Sequence, residues 1–233
     1  MAPYRSCARD RGEHVKVILF GATGMVGQGA LRECILDARV ERVLCIVRSA
    51  TGQKNMKLTE LVHKDFFDYS AIESQFLGYD ACFYCAGPSS AGMSEEAYSH
   101  MTYDMTMAAA ETLARLNPAM TFIYVSGAGT DSTEKGRTMW ARVKGKTENA
   151  LLRLPFRASY MFRPGIIQPL HGIQSKTASY RVLYDVAKPL FAILRWLAPR
   201  HITSTEQLGR AMILVAQNGF PKPILEAVDI TRV

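Results

Sequence analysis

The feature that most constrains the fold is a buried-strand pattern followed at once by three regularly spaced glycines. Residues 15–20, VKVILF, form a continuous β-branched and aromatic run, which is typical of a strand covered on both faces. Gly21, Gly24 and Gly27 come directly after this run. The residues that follow carry apolar side chains at helical spacing, namely Leu31, Cys34, Ile35 and Ala38. The start of the chain therefore predicts a buried strand, a tight turn and a helix.

The same alternation of strand and helix patterns continues along the chain. Short apolar runs predict further strands at 43–47, 61–65, 81–86, 121–126 and 158–163. Periodic patterns with Ser94 and Ser204 as N-caps predict helices at 94–116, 139–154 and 204–217. Strands that alternate with helices imply right-handed crossovers, so we predict an α/β fold with a doubly wound parallel sheet. We expect a flexible tail at 1–14 and a single domain at 15–233, with a small lobe at 166–203.

Composition indicates a globular chain and favours a reducing compartment. Hydrophobic residues make up 48% of the 233 residues and charged residues 21%, which suits one domain with a sizeable core. The net charge of +7 is scattered and accompanies no DNA-reading motif, so we expect no nucleic-acid partner. Five cysteines, an odd number without a regular framework, favour free thiols. The C-x-x-C pair at 82–85 lies within a strand pattern, which favours buried thiols over a redox pair.

No segment has the pattern of a secretory signal or of a membrane span. Residues 1–14 are basic and polar, without an apolar centre. The stretch 186–200 is apolar but interrupted by Pro189 and Arg195, and we interpret it as a helix that closes a pocket or packs in a dimer. We therefore expect a cytoplasmic protein without a transmembrane segment. The five histidines show no metal-ligand spacing, so no metal site is expected.

The glycine turn has the pattern of a phosphate-binding loop. Backbone without side chains can approach a phosphate closely, and the N-terminus of the following helix offers free N–H groups and a positive dipole. The alternative is a tight turn that binds nothing. Arg48 follows the second strand, where an acidic residue usually holds the ribose hydroxyls of NAD. Its guanidinium suits a 2′-phosphate, which favours NADP over NAD; an exposed arginine without a ligand is the alternative.

Several short motifs together resemble one superfamily. They are GATGMVG after the first strand, HKDFFD after the third, CAG at the end of the fourth, IYVSGAG at the fifth, VKGKTE, and RPGII after the sixth. In these motifs the chain resembles the atypical and extended short-chain dehydrogenase/reductases, and among them the NAD(P)-binding, epimerase/dehydratase-like proteins. The resemblance covers about 15–217. It implies a Rossmann-like fold that binds NAD(P), with the lobe at 166–203 on the substrate side.

The resemblance also implies which residues line the cofactor. The pyrophosphate would contact residues of the glycine turn and the first helix, namely Gly21, Thr23, Gly24, Met25, Val26 and Gly27. The adenine would be edged by Asp65 and Phe66, and the ribose and nicotinamide would lie beside Ala86 and Gly87. The nicotinamide amide would be flanked by Pro164, Gly165 and Ile166. A solvated carboxylate is the alternative for Asp65, and a simple turn is the alternative for the CAG motif.

A catalytic serine, tyrosine and lysine are implied by the resemblance, but one of the three is replaced. Ser126 matches the serine that holds the substrate oxygen, and Lys144 matches the lysine that binds the nicotinamide ribose and lowers the pKa of the tyrosine. The tyrosine position, four residues before the lysine, is Trp140. An indole N–H donates a hydrogen bond but does not titrate in a useful range. Ser126, a bound water, or a residue of the lobe such as His171 or Tyr180 remain open as the proton donor.

Two functions therefore stay open. The first is an NADP-dependent oxidoreductase, or an epimerase/dehydratase-like enzyme, acting on an unknown small carbonyl or alcohol substrate. The second is a catalytically weak or inactive NADP(H)-binding sensor that acts through a protein partner. Ser126 and Lys144 favour the enzyme, and Trp140 favours the sensor. Because the helices at 94–116 and 139–154 match those that pair in dimers of the wider superfamily, we expect a monomer or a homodimer.

Overall fold

The computed structural model describes residues 14–173 and 202–233, and a parallel seven-stranded sheet forms their centre. The strands in chain order are β1 Val15–Phe20, β2 Val40–Val47, β3 Leu58–Val62, β4 Ala81–Tyr84, β5 Thr121–Val125, β6 Ala158–Arg163, β7 Ile166–Gln168, β8 Ile202–Ser204 and β9 Ile224–Glu226. Their order across the large sheet is β3-β2-β1-β4-β5-β6-β9, whereas β7 and β8 pair with each other in a separate small parallel sheet. The predicted doubly wound parallel sheet is confirmed.

Helices lie on both faces of the sheet. They are α1 Met25–Leu36, α2 Glu95–Ser99, α3 Met105–Leu116, α4 Met139–Leu151, α5 Thr205–Asn218 and α6 Ala227–Ile230. A short 3-10 helix occupies Glu73–Phe76, and a π-helical turn at His100–Asp104 joins α2 to α3.

Successive side chains of the central strands pack into two separate cores. Val17 and Leu19 of β1 pack with α1 and α5, whereas Ile18 and Phe20 pack with α3 and the end of α4. Because successive residues of a strand point to opposite faces, burial on both faces requires an unbroken apolar run. The prediction of a buried strand at 15–20 is confirmed on this basis.

The third strand is the clearest correction to the sequence-based elements. It spans Leu58–Val62 rather than 61–65, so Asp65 lies in the turn after the strand. Among the described strands, β3 lies at the edge of the sheet and pairs with β2 alone, from Leu58 opposite Val43 to Val62 opposite Val47, and it ends where β2 ends. Its side chains are at most half-buried, so no continuous apolar run marks it in the sequence.

The predicted helix at 94–116 is present but contains an irregularity. Ser94 caps it by accepting a hydrogen bond from the Ala97 N–H at 3.2 Å, as predicted. The π-helical turn His100–Asp104 interrupts the α-helical geometry, and side-chain periodicity did not reveal it. The helix at 139–154 ends earlier, at Leu151, and β9 and α6 are too short for periodicity to detect.

The N-terminal half of α1 is held in place by close contact with α5. A side chain at Gly29 would come within 2.7 Å of Thr205, and one at Gly209 within 2.9 Å of the Glu33 side chain. The capping box predicted for this helix is present, with Ser204 and Gln207 exchanging hydrogen bonds of 3.0 Å. Helix α5 therefore fixes the helix whose N-terminus follows the glycine turn.

Some predictions fall outside the described residues. The tail expected at 1–14 is described only at His14, and the apolar stretch 186–200 and Tyr180 are not described. Of the predicted lobe, 166–173 and 202–203 are described, so the domain limits stay predictions. Within 14–173 and 202–233, no helix is both long and apolar enough to cross a membrane.

Candidate functional site

The predicted site residues follow the carboxyl ends of the sheet strands. Gly21 follows β1, Arg48 follows β2, Ser126 follows β5 and Pro164 follows β6. In a parallel sheet these ends share one edge, and the strand order reverses between β1 and β4. A crevice opens at such a reversal, and α/β proteins bind ligands there. The fold thus brings the predicted residues to one edge of the sheet.

The glycine turn has no room for side chains. Gly21 has φ +78°, and a side-chain carbon there would lie 2.6 Å from the backbone of Cys85 and Ala86. At Gly27 the added carbon would lie 2.0 Å from the carbonyl oxygen of Gly21. The turn therefore needs glycine for a left-handed conformation at one position and for close packing of α1 at the other. This close-packed turn between β1 and α1 has the form expected of the predicted phosphate-binding loop.

The first turn of α1 is free to bind an anion. Gly24 is its N-cap and supplies no side-chain hydrogen bond, and no acidic residue lies in the first turn. Gln28 donates a hydrogen bond of 3.0 Å to the Thr23 carbonyl, which holds the loop against the helix. Uncapped N–H groups and the helix dipole attract a phosphate. The residues present thus fit the pyrophosphate of a dinucleotide, and Met25 and Val26 open the helix beside it.

The predicted adenine and 2′-phosphate residues lie on the β2 and β3 side of the crevice. Arg48 is exposed, and within the described ranges its guanidinium makes no hydrogen bond or ion pair. Asp65 is exposed and accepts a hydrogen bond of 2.9 Å from the Phe67 N–H. The Phe66 ring meets Phe20 edge to face at 6.3 Å, so it also covers the core beneath it.

The predicted nicotinamide residues come from two neighbouring loops. Gly21 lies against the backbone of Ala86, and nothing lies within 4 Å of a carbon added at Gly87. The Pro164 carbonyl accepts a hydrogen bond of 2.9 Å from the Ala128 N–H, which ties the loop after β6 to the loop after β5. Gly165 is half-buried and Ile166 is exposed.

Ser126 belongs to a hydrogen-bonded chain of two hydroxyls. Its Oγ lies 2.9 Å from the Thr130 Oγ1, and the Thr130 hydroxyl donates at 2.8 Å to the Gly127 carbonyl. Because the single hydroxyl hydrogen of Thr130 is used there, the hydrogen between the two hydroxyls comes from Ser126. The Ser126 oxygen therefore presents lone pairs rather than a hydrogen to the crevice. No pattern in the sequence indicated Thr130.

Lys144 lies against the end of β5. Its Nζ is 3.4 Å from the Val125 carbonyl oxygen and 3.5 Å from the Tyr124 hydroxyl oxygen. It also lies 5.1 Å from the centre of the Tyr124 ring. Burial lowers the pKa of Lys144 to about 8, and the nearby Glu148 carboxylate partly opposes this shift. Burial raises the pKa of Tyr124 far above its usual value, so Tyr124 stays a neutral phenol.

Trp140 lies in the first turn of α4, and its side chain packs against the loop that follows β5. The outer edge of its six-membered ring is 3.9 Å from a carbon added at Gly127 and 3.7 Å from one added at Gly129. The indole is half-buried, and within the described chain no hydrogen bond joins it to Ser126 or Lys144. Trp140 thus places an aromatic ring against the backbone that directly follows Ser126.

A buried ion pair, which the sequence analysis missed, fixes α4 to β6. The Arg163 Nε donates to Glu148 at 3.0 Å, and Glu148 is fully buried. Arg163 also donates to the Ser132 Oγ at 2.6 Å and to Glu226 at 3.1 Å. The only sequence signals were the position of Glu148 one turn after Lys144 and the position of Arg163 directly before Pro164.

Other polar residues considered in the sequence have partners away from the crevice. His171, an open alternative for the proton donor, is exposed and lies 2.7 Å from a Glu206 carboxylate oxygen. Burial raises the pKa of Cys82 and Cys85, in agreement with inert thiols. Within the described ranges, no group of three or more His, Cys, Asp or Glu residues could hold a metal ion.

Comparison with known proteins identifies the family. The NAD dependent epimerase/dehydratase family matches residues 17–138, more than half of the chain, and this range includes the glycine turn and Ser126 but ends before Trp140 and Lys144. The chain belongs to the NAD dependent epimerase/dehydratase family. The predicted resemblance is confirmed, and the fold is of the kind that binds a nicotinamide dinucleotide.

The chain is also similar to individual curated proteins, at low identity. Protein fmp52, mitochondrial, of Emericella nidulans is 28% identical over 158 residues, which cover 65% of this chain and 66% of the relative. Protein HTATIP2 of Rattus norvegicus is 24% identical over 162 residues, covering 66% of this chain and 64% of the relative. Both matches span just under two-thirds of the relative's length.

A solved structure shows the same fold. The Bordetella bronchiseptica enzyme WbmF in complex with NAD+ is similar to this chain with a TM-score of 0.66 and 13% sequence identity. The similarity covers 96% of this chain and 78% of WbmF. At this identity the likeness concerns the fold alone, so the assignment of site residues in this chain depends on the geometry of the chain itself.

Proposed function

We propose that this protein is an NADP(H)-binding oxidoreductase or epimerase/dehydratase-like enzyme that acts on a small carbonyl or alcohol substrate. The observation that carries the proposal is the position of Lys144 at the end of β5, with its Nζ 3.4 Å from the carbonyl oxygen of Val125, the residue before Ser126. The Lys144 ammonium thus lies beside the residue that precedes Ser126, at the carboxyl end of β5 and on the sheet edge of the predicted dinucleotide crevice. A protein that only bound the dinucleotide would need the lysine but not the ordered serine.

The choice of NADP rests on Arg48. Its guanidinium is exposed at the carboxyl end of β2, next to the glycine turn after β1, and no described residue neutralises it. A guanidinium can bind a 2′-phosphate in a bidentate manner. NAD, named in the NAD+ complex of WbmF, is the alternative that a titration must exclude.

The residues of the crevice can divide the chemistry among them. The bound nicotinamide supplies or takes up a hydride. The Ser126 oxygen, whose own hydrogen is donated to Thr130 across 2.9 Å, orients a substrate hydroxyl by accepting its hydrogen bond. Trp140 presents an apolar face beside this position and limits the access of water. This protein thus keeps the positioning serine Ser126 and the charged Lys144, but it lacks a phenol at position 140.

A turnover assay tests the proposal. The protein is mixed with NADPH, binding is confirmed by nucleotide fluorescence, and the loss of absorbance is followed with a panel of aldehydes, ketones and quinones. We expect turnover of at least one class of carbonyl compound. Tight NADPH binding without turnover, together with new turnover in Trp140→Tyr, would contradict the enzyme.

Trp140 supports the second candidate, an NADP(H) sensor with little or no catalysis. Its indole rests on Gly127 and Gly129 and carries no group that exchanges a proton. A sensor requires a protein partner whose binding depends on the nucleotide. Pull-down with NADPH, NADP+ or neither, followed by the turnover assay on the same material, separates the two candidates.

The cellular setting is also a proposal. The thiols of Cys34, Cys45, Cys82 and Cys85 are free, which supports a reducing compartment. We expected the cytoplasm, whereas the name of the Emericella nidulans relative includes the word mitochondrial. Fractionation of cells that carry the tagged full chain distinguishes the two. We further propose a monomer or homodimer without a nucleic-acid partner, which light scattering and a nucleic-acid shift assay test.

A further inference from the structure

The tyrosine position of this site holds a side chain that cannot deliver a proton. The indole of Trp140 lies on the Gly127 and Gly129 backbone and has only an N–H donor. Reduction of a carbonyl to an alcohol nevertheless requires a proton for the oxygen when the carbon receives a hydride. If the proposed oxidoreductase function holds, on which the present inference rests, a group other than Trp140 must supply it.

Ser126 is unsuited to this task because its hydrogen is already used. The Thr130 hydroxyl donates to the Gly127 carbonyl at 2.8 Å, so Ser126 donates to Thr130 across 2.9 Å. A serine in this arrangement can accept a hydrogen bond from a substrate hydroxyl but does not protonate a carbonyl oxygen.

Lys144 has a hydrogen to give. An ammonium has three N–H groups. Two of them have acceptors at the end of β5, the Val125 carbonyl oxygen at 3.4 Å and the Tyr124 hydroxyl oxygen at 3.5 Å. The third meets no hydrogen-bond acceptor among the described residues. The two long contacts hold the Nζ at the strand end without using all of its hydrogens.

No carboxylate pairs with this ammonium in the described chain. Glu148, one turn further along α4, is held by the Arg163 guanidinium instead. Tyr124 faces the lysine from β5 as a neutral phenol, and Tyr98 of α2 is close enough to Tyr124 to raise its pKa further. Burial without a counter-ion favours the neutral amine, so the lysine can lose its proton near neutral pH, in accord with its pKa of about 8.

We propose that Lys144 is the proton donor of this site and takes the place of the absent tyrosine. In carbonyl reduction the Nζ–H bond breaks and an O–H bond forms on the substrate oxygen, while the substrate carbon would receive a hydride from NADPH, which would be oxidised to NADP+. The ammonium becomes a neutral amine and regains its proton from water. Alcohol oxidation runs the same step backwards, with the neutral amine accepting the hydroxyl proton.

The first test measures the protonation of Lys144 without turnover. Lysines of the full chain are reductively methylated with ¹³C-formaldehyde, and their resonances are followed by NMR from about pH 6 to 11. The resonance that is missing in Lys144→Arg identifies Lys144. We expect a midpoint near 8, well below the ordinary lysine value of 10.5. A midpoint above about 10 would contradict the inference, whether or not the protein turns over a substrate.

The second test separates proton donation from ribose binding. Arginine keeps the positive charge but does not deprotonate, so Lys144→Arg should bind NADPH yet lose turnover by about a hundred-fold or more. Lys146→Arg, on the exposed face of the same helix, is the matched control and should keep wild-type turnover. Wild-type carbonyl reduction should fall as the pH rises through about 8, because the protonated lysine is required.

The outcomes distinguish this inference from the proposed function. Wild-type turnover in Lys144→Arg would overturn the lysine as the proton donor and leave the oxidoreductase intact. Absence of turnover by the wild-type protein with bound NADPH would overturn both. Return of turnover in the Lys144→Arg, Trp140→Tyr double variant would support the inference, because a phenol then supplies the missing proton.

Discussion

Individual glycines of the turn after β1 have different physical roles. Gly27 has no room for a side-chain carbon, which would lie 2.0 Å from the Gly21 carbonyl oxygen. Gly24, three residues earlier, would place the same carbon at 3.4 Å from that oxygen, an ordinary contact. The spacing of the three glycines was readable in the sequence, but only the structure shows which of them is required for close packing.

The two glycines give a matched pair of substitutions. Gly27→Ala should lower the free energy of unfolding by about 1–3 kcal/mol, because the backbone must shift to admit the methyl group. Gly24→Ala should cost less, about 1 kcal/mol or below, since it changes only an N-cap. Chemical denaturation of the two variants without nucleotide measures the difference. Equal losses would show that the turn is not packed as described.

Arg48 should determine the choice between NADPH and NADH. Removal of a charged hydrogen bond costs about 1.5–3 kcal/mol, so Arg48→Ala should weaken NADPH binding by about ten-fold to a hundred-fold and leave NADH binding almost unchanged. Arg42→Ala, which removes an exposed arginine near the other end of β2, is the control. Equal effects of Arg48→Ala on the two nucleotides would contradict a role at the 2′-phosphate.

Lys144 should make stability depend on pH. Its pKa is lowered from 10.5 to about 8 in the folded chain, so its burial as an ammonium destabilises the fold below pH 8. Between about 8 and 10.5 the unfolded chain binds the proton more strongly, and stability therefore rises with pH. Lys144→Met should accordingly raise the free energy of unfolding above that of the wild type most strongly near neutral pH. This difference should disappear as the pH approaches 10.5.

Denaturation at about pH 7 and about pH 10 checks this expectation. Lys146→Met, which removes a lysine from an exposed position of the same helix, is the matched control. An advantage of Lys144→Met that persisted at the higher pH would show that the lysine is not buried as a cation.

At the scale of elements, β5, the loop 127–138 and α4 form one unit. A side-chain carbon at Gly145 would lie 1.8 Å from the Asp131 carbonyl oxygen, so the helix packs directly on the loop backbone. The Asp131 N–H donates to the Ala141 carbonyl at 3.1 Å. Glu148 and Arg163 then fix the helix to β6. This unit holds Trp140 and Lys144 in their positions relative to Ser126.

The buried ion pair should be the largest polar contribution to this unit. Glu148→Gln leaves the Arg163 charge largely uncompensated in the interior and should lower the unfolding free energy by about 3–5 kcal/mol. Glu226→Gln removes the exposed partner of the same arginine and should cost less than about 1 kcal/mol. Thermal and chemical denaturation of both variants compare them. A small loss in Glu148→Gln would mean that the pair is hydrated.

The elements also show what the sequence could predict. β1, β4, β5 and β6 were found because central strands are buried on both faces and read as unbroken apolar runs. The predicted position of β3 was wrong because this strand pairs on one side only among the described strands, so no continuous apolar run marks it. The π-helical turn His100–Asp104 was missed because periodicity does not resolve one extra residue. The contacts of Lys144 with Tyr124 and of Ser126 with Thr130 depend on the path of the loop 127–138, for which no periodic pattern exists.

At the scale of the whole molecule, elements from the early and late parts of the described chain pack against each other. α5, near the C-terminus, packs against α1 through Gly29 and Gly209 and so supports the helix that opens at the glycine turn. β9 completes the sheet beside β6. The family and the fold were therefore accessible from the order of elements and the motifs at strand ends. The identity of the substrate was not, because no motif of the chain carries it.

The most direct test of the account is a fluorescence titration of the full chain with NADPH and, separately, with NADH. The glycine turn, the uncapped α1 and the exposed Arg48 predict saturable binding of both, with NADPH bound at least about ten-fold more tightly. Equal affinities would remove the role of Arg48. Failure of both nucleotides to bind would contradict the proposed function as a whole.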